Sequence, residues 1–133
     1  MIQRNEGFSF PGLETQTYKD EPGTWMAVTR RTLAPDAGTK FETRYFEIAP
    51  GGYTSYERHA HEHVVVVLRG RGRVRLGQDW TEVGPGDTIH VSGMAPHQFD
   101  NPNAEPFGIL CVVDRERDRP TLLDTEGRPR ASE

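Results

Sequence analysis

With 133 residues, 16 basic against 20 acidic side chains and a net charge of -4, the chain suits one domain with a real core and has no basic stripe for a nucleic-acid backbone. Cys111 is the single cysteine, which excludes an internal disulfide, and its apolar setting GILCVVD marks it as a packed small side chain and not a nucleophile. The start MIQRNEGFSF lacks the apolar run of a signal peptide and no segment is long enough to span a bilayer, so the chain reads as cytoplasmic, with neither nucleic acid nor membrane as partner.

Residues 1–22 are polar and turn-rich, with GFSF and TQTY as candidate edge strands, and are expected to form an arm that covers a sheet edge or reaches a neighbouring molecule. The main domain is expected over residues 23–114. WMAVTRRTL from Trp25 reads as a strand, APDAGTK as a loop, and FETRYFEIA from Phe41 as a second strand that ends at Pro50, Gly51 and Gly52. YTSYERH follows, then a turn from Ala60 to Glu62, then the strand HVVVVLRG. Gly70 and Gly72 bracket a tight connection into RVRL, Gly77 to Asp79 makes another turn, and WTEV leads into the turn Gly84 to Asp87. DTIHVS, HQFDN and FGILCVV supply the remaining strands. Residues 115–133 are charged and proline-bearing, a surface tail with Leu122 and Leu123 as its only anchors. Short strands punctuated by scattered glycine and proline, without helical periodicity or βαβ alternation, give an all-β sandwich or barrel.

The stretch GGYTSYERHAHEHVVVVLRG, Gly51 to Gly70, carries the chemistry: Glu57, His59, His61 and His63 crowd together just before four valines. Imidazole nitrogen and carboxylate oxygen are donors that first-row divalent metals take, and Glu57, His59 and His63 share one parity along an extended chain. A helix would also align His59 with His63, but the branched side chains of Val64 to Val67 favour a strand. His61 has the same parity, yet the turn at Ala60 to Glu62 breaks the alternation and sends it to solvent or to a supporting place behind a ligand. His90, between Ile89 and Val91, reads as a packed or surface histidine, and Glu62 as solvated or tethering a histidine N–H. There is no Ser-His-Asp order and no glycine-rich phosphate loop opening a helix.

These spacings resemble the cupin family. Its first motif, G-x5-H-x-H-x3-E-x6-G, stands here as Gly51-x5-Glu57-x-His59-x3-His63-x6-Gly70. Its second, G-x5-P-x-G-x2-H-x3-N, stands as Gly86, Ser92, Met94, His97 and Asn101, with Ser92 and Met94 where proline and glycine are usual. The resemblance implies a jelly-roll barrel, or double-stranded β-helix, holding one divalent transition metal per chain, whether iron, manganese, nickel, copper, cobalt or zinc. The implied ligands are Glu57, His59, His63 and His97, although Glu57 stands where the family usually has its first histidine and His63 where it usually has glutamate. The four-donor site is the adopted expectation; the alternative is a three-histidine site in which Glu57 is unbound and serves as general base. The resemblance further implies an oxidoreductase, a dioxygenase acting on a small oxygenated compound, because four donors on an octahedral ion leave adjacent positions open. A metal-dependent isomerase, cyclase or lyase using the ion as Lewis acid is one alternative, and a non-catalytic small-ligand or metal-binding module is the other. Pocket walls are expected from Phe46, Ile48, Val65, Val67, Phe99 and Trp25, with Tyr53, Tyr56 and Gln98 as polar contacts near the rim. Cupins commonly pair through an exchanged edge or arm, and the VVVVL run with the N-terminal segment gives material for a homodimer.

Overall fold

Branched and aromatic residues alternate with polar ones along most of the chain, and nearly every run expected to be extended becomes a strand. The computed structural model describes residues 1–18 and 24–130; the expected arm–barrel boundary after residue 22 and the tail's last residues, 131–133, lie outside the described residues. In chain order the strands are β1 (Gln16–Thr17), β2 (Met26–Leu33), β3 (Phe41–Tyr53), β4 (Glu57–Arg58), β5 (His63–Arg69), β6 (Gly72–Leu76), β7 (Asp79–Val83), β8 (Thr88–Val91), β9 (His97–Asp100), β10 (Phe107–Asp114) and β11 (Thr121–Leu122). All pair antiparallel in one curled sheet, a jelly-roll barrel, and no helix occurs among the described residues. No helix of the described residues is long and apolar enough to cross a membrane.

Alternation decides what faces the interior. On β5, Val65 and Val67 are fully buried while Val64 is 39% exposed. Register then aligns side chains in rows across neighbouring strands. Phe46, Ile109 and Val67 form one row; Arg44, Cys111, Val65 and Ile89 form the next; Glu42, Val113, His63 and Val91 form a third. The interior therefore changes from apolar to polar along the strands. β9 completes the frame, because it pairs with β6 on one side and with β4 on the other, where His97 lies opposite Glu57. Histidines from two distant segments thereby reach the same end of the barrel.

Several local expectations need correction. β3 does not end at Pro50 but runs to Tyr53, because it changes partner. Gly51 donates its N–H to the Asn101 carbonyl and the Asn101 N–H donates back to Gly52, so pairing passes to the β9 segment. Gly51 has a φ of +80°, which favours glycine, and a Cβ at Gly52 would come within 2.7 Å of the Met26 carbonyl oxygen. Of YTSYERH, Tyr53 closes β3 and only Glu57 and Arg58 form a further strand; Thr54 instead accepts the Phe99 N–H on its hydroxyl.

The VVVVL run is an interior strand, since β5 lies between β10 and β8, and it offers no free edge. The N-terminal arm folds onto its own barrel: Phe8 and Phe10 pack on Tyr45 with ring centroids 5.9 and 5.0 Å away, on the outer face of β3. The C-terminal segment is held by more than Leu122 and Leu123. β11 pairs with β4, Leu123 is buried and donates its N–H to Tyr56, and Asp118 reaches back to the turn before β5.

Phe107 is fully buried at the start of β10, and its ring lies where a Cβ at Gly72 would stand 2.2 Å away. Truncation there leaves a cavity that the paired strands cannot close. Phe107→Ala is expected to cost about 3–5 kcal/mol in urea unfolding; a loss below about 1 kcal/mol would show that the barrel collapses around the gap.

Candidate metal centre

Each site histidine comes from a place where the backbone fixes its ring. His59 follows β4, His63 opens β5 and His97 opens β9. All three are buried, and one nitrogen from each lies within 4.8 Å of the others; among the described residues this is the cluster suited to a metal ion. His59–His63, His59–His97 and His63–His97 ring centroids are 5.1, 4.7 and 4.9 Å apart.

The hydrogen bonds decide which nitrogen points inward. Nδ1–H of His59 donates to the His61 carbonyl at 2.6 Å, and Nδ1–H of His97 donates to the Ala95 carbonyl at 2.8 Å. A carbonyl oxygen only accepts, so both protons sit on Nδ1 and both Nε2 atoms present lone pairs. His63 turns Nδ1 to the Cys111 Sγ at 3.1 Å and Nε2 to His97 Nε2 at 3.3 Å. With the His97 proton on Nδ1, the Nε2 contact is made by a proton on His63 Nε2 that donates to His97; moved to Nδ1, facing the sulfur, that proton would leave a third Nε2 lone pair for an ion. At metal–nitrogen distances of about 2.0–2.1 Å, neighbouring ligand nitrogens stand roughly 2.8–3.0 Å apart on an octahedral ion and about 3.3–3.4 Å apart on a tetrahedral one, and the His63–His97 spacing of 3.3 Å fits the tetrahedral value. The donor set also suits a borderline divalent ion.

Burial lowers the basicity of all three rings. His97 is pushed down to about 4 by burial, and His63 to about 2 by burial and the neighbouring His97 and His59 imidazoles. Burial also lowers His59, against its bond to the His61 carbonyl. The rings are neutral at physiological pH, as metal ligation requires.

Glu57 is buried and lines the same cavity, but the clustered group comprises the three histidines without it. His61 lies flat on His59, with centroids 3.6 Å apart and planes 2° apart. Its Nδ1–H donates to Asp118 at 2.7 Å, and Asp118 also accepts the backbone N–H groups of Ala60 and His61. Those bonds, the Ala60 N–H first, hold the Asp118 carboxyl well below its ordinary range. His61 thus supports His59 with both its ring and its carbonyl. Glu62 does tether a histidine, but the exposed His90, at 2.8 Å.

The cavity has a volume of about 110 Å³. Phe46, Val65, Phe99 and Trp25 line it, whereas Ile48 and Val67 are fully buried in the core away from its wall. Tyr53, Tyr56 and Gln98, expected at the rim, lie outside it. Alternation along β9 turns His97 and Phe99 inward, and Gln98 donates instead to the Thr54 carbonyl. Tyr56 donates its hydroxyl to the Gly77 carbonyl at 2.6 Å beneath the Arg75 guanidinium. Tyr53 closes β3 opposite Asp100 and Met26. Among the lining residues that escaped the sequence reading are three charged ones, Arg44, Arg117 and Asp118. Arg44 shares the inward parity of Phe46, a signal that was available; Arg117 and Asp118 lie in the segment read as a surface tail anchored by Leu122 and Leu123.

The cupin domain family model matches residues 44–113. A 1-methylthio-D-xylulose 5-phosphate methylsulfurylase of Rhodospirillum rubrum is 40% identical over 116 residues, 86% of this chain and 74% of the relative. The crystal structure of a cupin-2 domain protein from Rhodospirillum rubrum superposes with a TM-score of 0.84 at 37% identity, covering 96% of this chain and 86% of that one. The polyketide cyclase RemF of Streptomyces resistomycificus superposes with a TM-score of 0.79 at 28% identity, covering 93% and 87%.

Two outcomes follow from the buried rings and their supports. The folded-state value of His97 lies below its value of about 6.5 in the unfolded chain, so the unfolded chain binds more protons between those limits. Its contribution is complete above about pH 6.5 and is lost as the pH falls towards about 4, on the order of 3 kcal/mol from His97 alone. Metal-free protein should therefore melt at a constant temperature above neutrality and at falling temperatures across that acid window; a flat profile there contradicts the buried neutral rings. Asp118→Ala frees the His61 ring, and metal titration should show binding about tenfold weaker; unchanged affinity would mean that His59 needs no such support.

Proposed function

Since this chain belongs to the cupin domain family, we propose that it is a metal-dependent enzyme acting on a small carbonyl compound bound between the three-histidine cluster and the apolar cavity wall. The convergence of the His59, His63 and His97 Nε2 atoms, with their Nδ1 atoms turned to other partners, carries this reading. His59, His63 and His97 would hold a divalent ion there, which would supply a Lewis acid to polarise the substrate carbonyl. His59 and His97 keep their orientation through carbonyl bonds that an incoming substrate does not disturb. Trp25, Phe46, Val65 and Phe99 form walls that exclude water from the reacting carbon.

Glu57 is the group suited to moving the proton. It is buried at the cavity, opposite His97 in the strand register, and its carboxylate takes a proton from the carbon beside the carbonyl and returns it. Two relatives favour this class over oxygen chemistry: xylulose is a ketose, and polyketides are carbonyl-rich. A dioxygenase is the second reading, favoured by a cluster of three neutral ligands that leaves several metal positions for oxygen and substrate.

Metal-loaded protein, incubated with 1-methylthio-D-xylulose 5-phosphate in deuterated water without oxygen, should exchange the hydrogens beside the carbonyl. Glu57→Gln should keep its full metal content and lose that exchange. If the variant loses metal, Glu57 is a fourth ligand; if substrate disappears only with matching oxygen uptake, the dioxygenase reading replaces this one.

A further inference from the structure

Arg44 is an unusual residue to find facing the interior. β3 turns Phe46 and Ile48 into the core, and the same alternation carries Arg44 inward one step nearer the histidines, where its side chain is 9% exposed. Its register neighbour is Cys111, and Cys111 lies diagonal to His63 on the adjacent strand.

The surroundings do not satisfy the charge. A guanidinium has five N–H donors in one plane, built to grip two oxygens of an anion at once. Here Nη2 reaches the Cys111 sulfur at 3.5 Å, a weak acceptor, while Nε is buried and makes no hydrogen bond. The nearest carboxylate in an ion pair with it, Glu42, is 4.0 Å from Nε, beyond hydrogen-bond reach, and is shared with Arg117 at 3.6 Å. The remaining contact is the face of the Phe46 ring, 5.0 Å from the guanidinium carbon. A buried cation without a hydrogen-bonded anion is costly and persists where something is gained by it. Arg44 lines the cavity that the histidines close, and one sulfur atom separates it from His63.

We infer that Arg44 is the substrate's anion anchor: it binds the oxyanion end of the molecule, a carboxylate or a phosphate ester, while the rest of that molecule extends toward the His59, His63 and His97 cluster. The inference deepens the proposed function and rests on the cavity being a substrate site. It restricts substrates to small anions, because the charge is part of the wall. Arg117, on the same wall and already bonded to the Asp114 and Arg115 carbonyls, adds positive potential without an available fork.

The test is calorimetric titration of metal-loaded wild type, Arg44→Met and Arg44→Lys with methyl phosphate, with acetate and with glycerol as a neutral control. Metal content and melting temperature are measured on the same samples. At least one anion should bind wild type, about tenfold or more weaker to Arg44→Met, with partial recovery in Arg44→Lys, whose ammonium keeps the charge but not the fork. The anion with the larger drop identifies the carboxylate or the phosphate. Without anion, Arg44→Met should melt no lower than wild type, because a buried, poorly paired charge has been removed. Equal anion binding by wild type and Arg44→Met, or none by wild type, overturns the inference. If Arg44→Met does not fold, wild-type affinity in Arg44→Lys for both anions overturns it and a several-fold loss supports it. Should wild type carry no metal yet bind anions through Arg44, the metal reading fails and the anchor stands.

Discussion

Everything at the working end of this barrel depends on three neutral imidazoles sharing a buried space with their Nε2 atoms turned toward one another. Two of them owe that orientation to backbone carbonyls, of His61 and Ala95, and the third has a cysteine sulfur behind it. Burial keeps these rings neutral, so their nitrogens could serve a cation as ligands. The fold holds this arrangement because each ring sits at a strand end or a tight bend, where the backbone has little freedom to turn the ring away.

The barrel prepares the rest of the site by simple alternation. Strands that bury Phe46, Ile109 and Val67 deeper in the core must, two residues further along, present Arg44, Cys111 and Val65, and then Glu42, Val113 and His63. Polarity therefore rises along the same strands without any break in pairing. The C-terminal segment adds Asp118, which ties the turn carrying His61 and through it steadies His59. A charged stretch with no apolar pattern thus supports the turn on which the histidines depend.

Much of this was legible in the amino-acid order. The spacing of His59 and His63 before the valines, and of His97 within a second short strand, gave both the family resemblance and the histidines that the structure brings together. Local pattern could not report long-range register. Nothing near Cys111 announces that it lies diagonal to His63, and nothing near Asp118 announces its bonds to Ala60 and His61. Pro50, Gly51 and Gly52 looked like a strand end because breakers usually are; here the strand exchanges partners and continues. Tyr53, Tyr56 and Gln98 looked available for a pocket because aromatic and amide groups suit one, but their polar atoms or strand positions are engaged elsewhere in the barrel. The valine run looked like interface material through its composition alone, and only the sheet order shows both of its edges paired within the barrel.

The central claim is most directly tested by metal analysis with X-ray absorption on protein purified without a histidine tag, wild type beside His97→Ala. The account predicts about one divalent ion per wild-type chain, with imidazole nitrogens at about 2.0–2.1 Å, and loss of that ion in the variant. A wild-type protein that takes up no ion, or a His97→Ala protein that keeps it, would contradict the account.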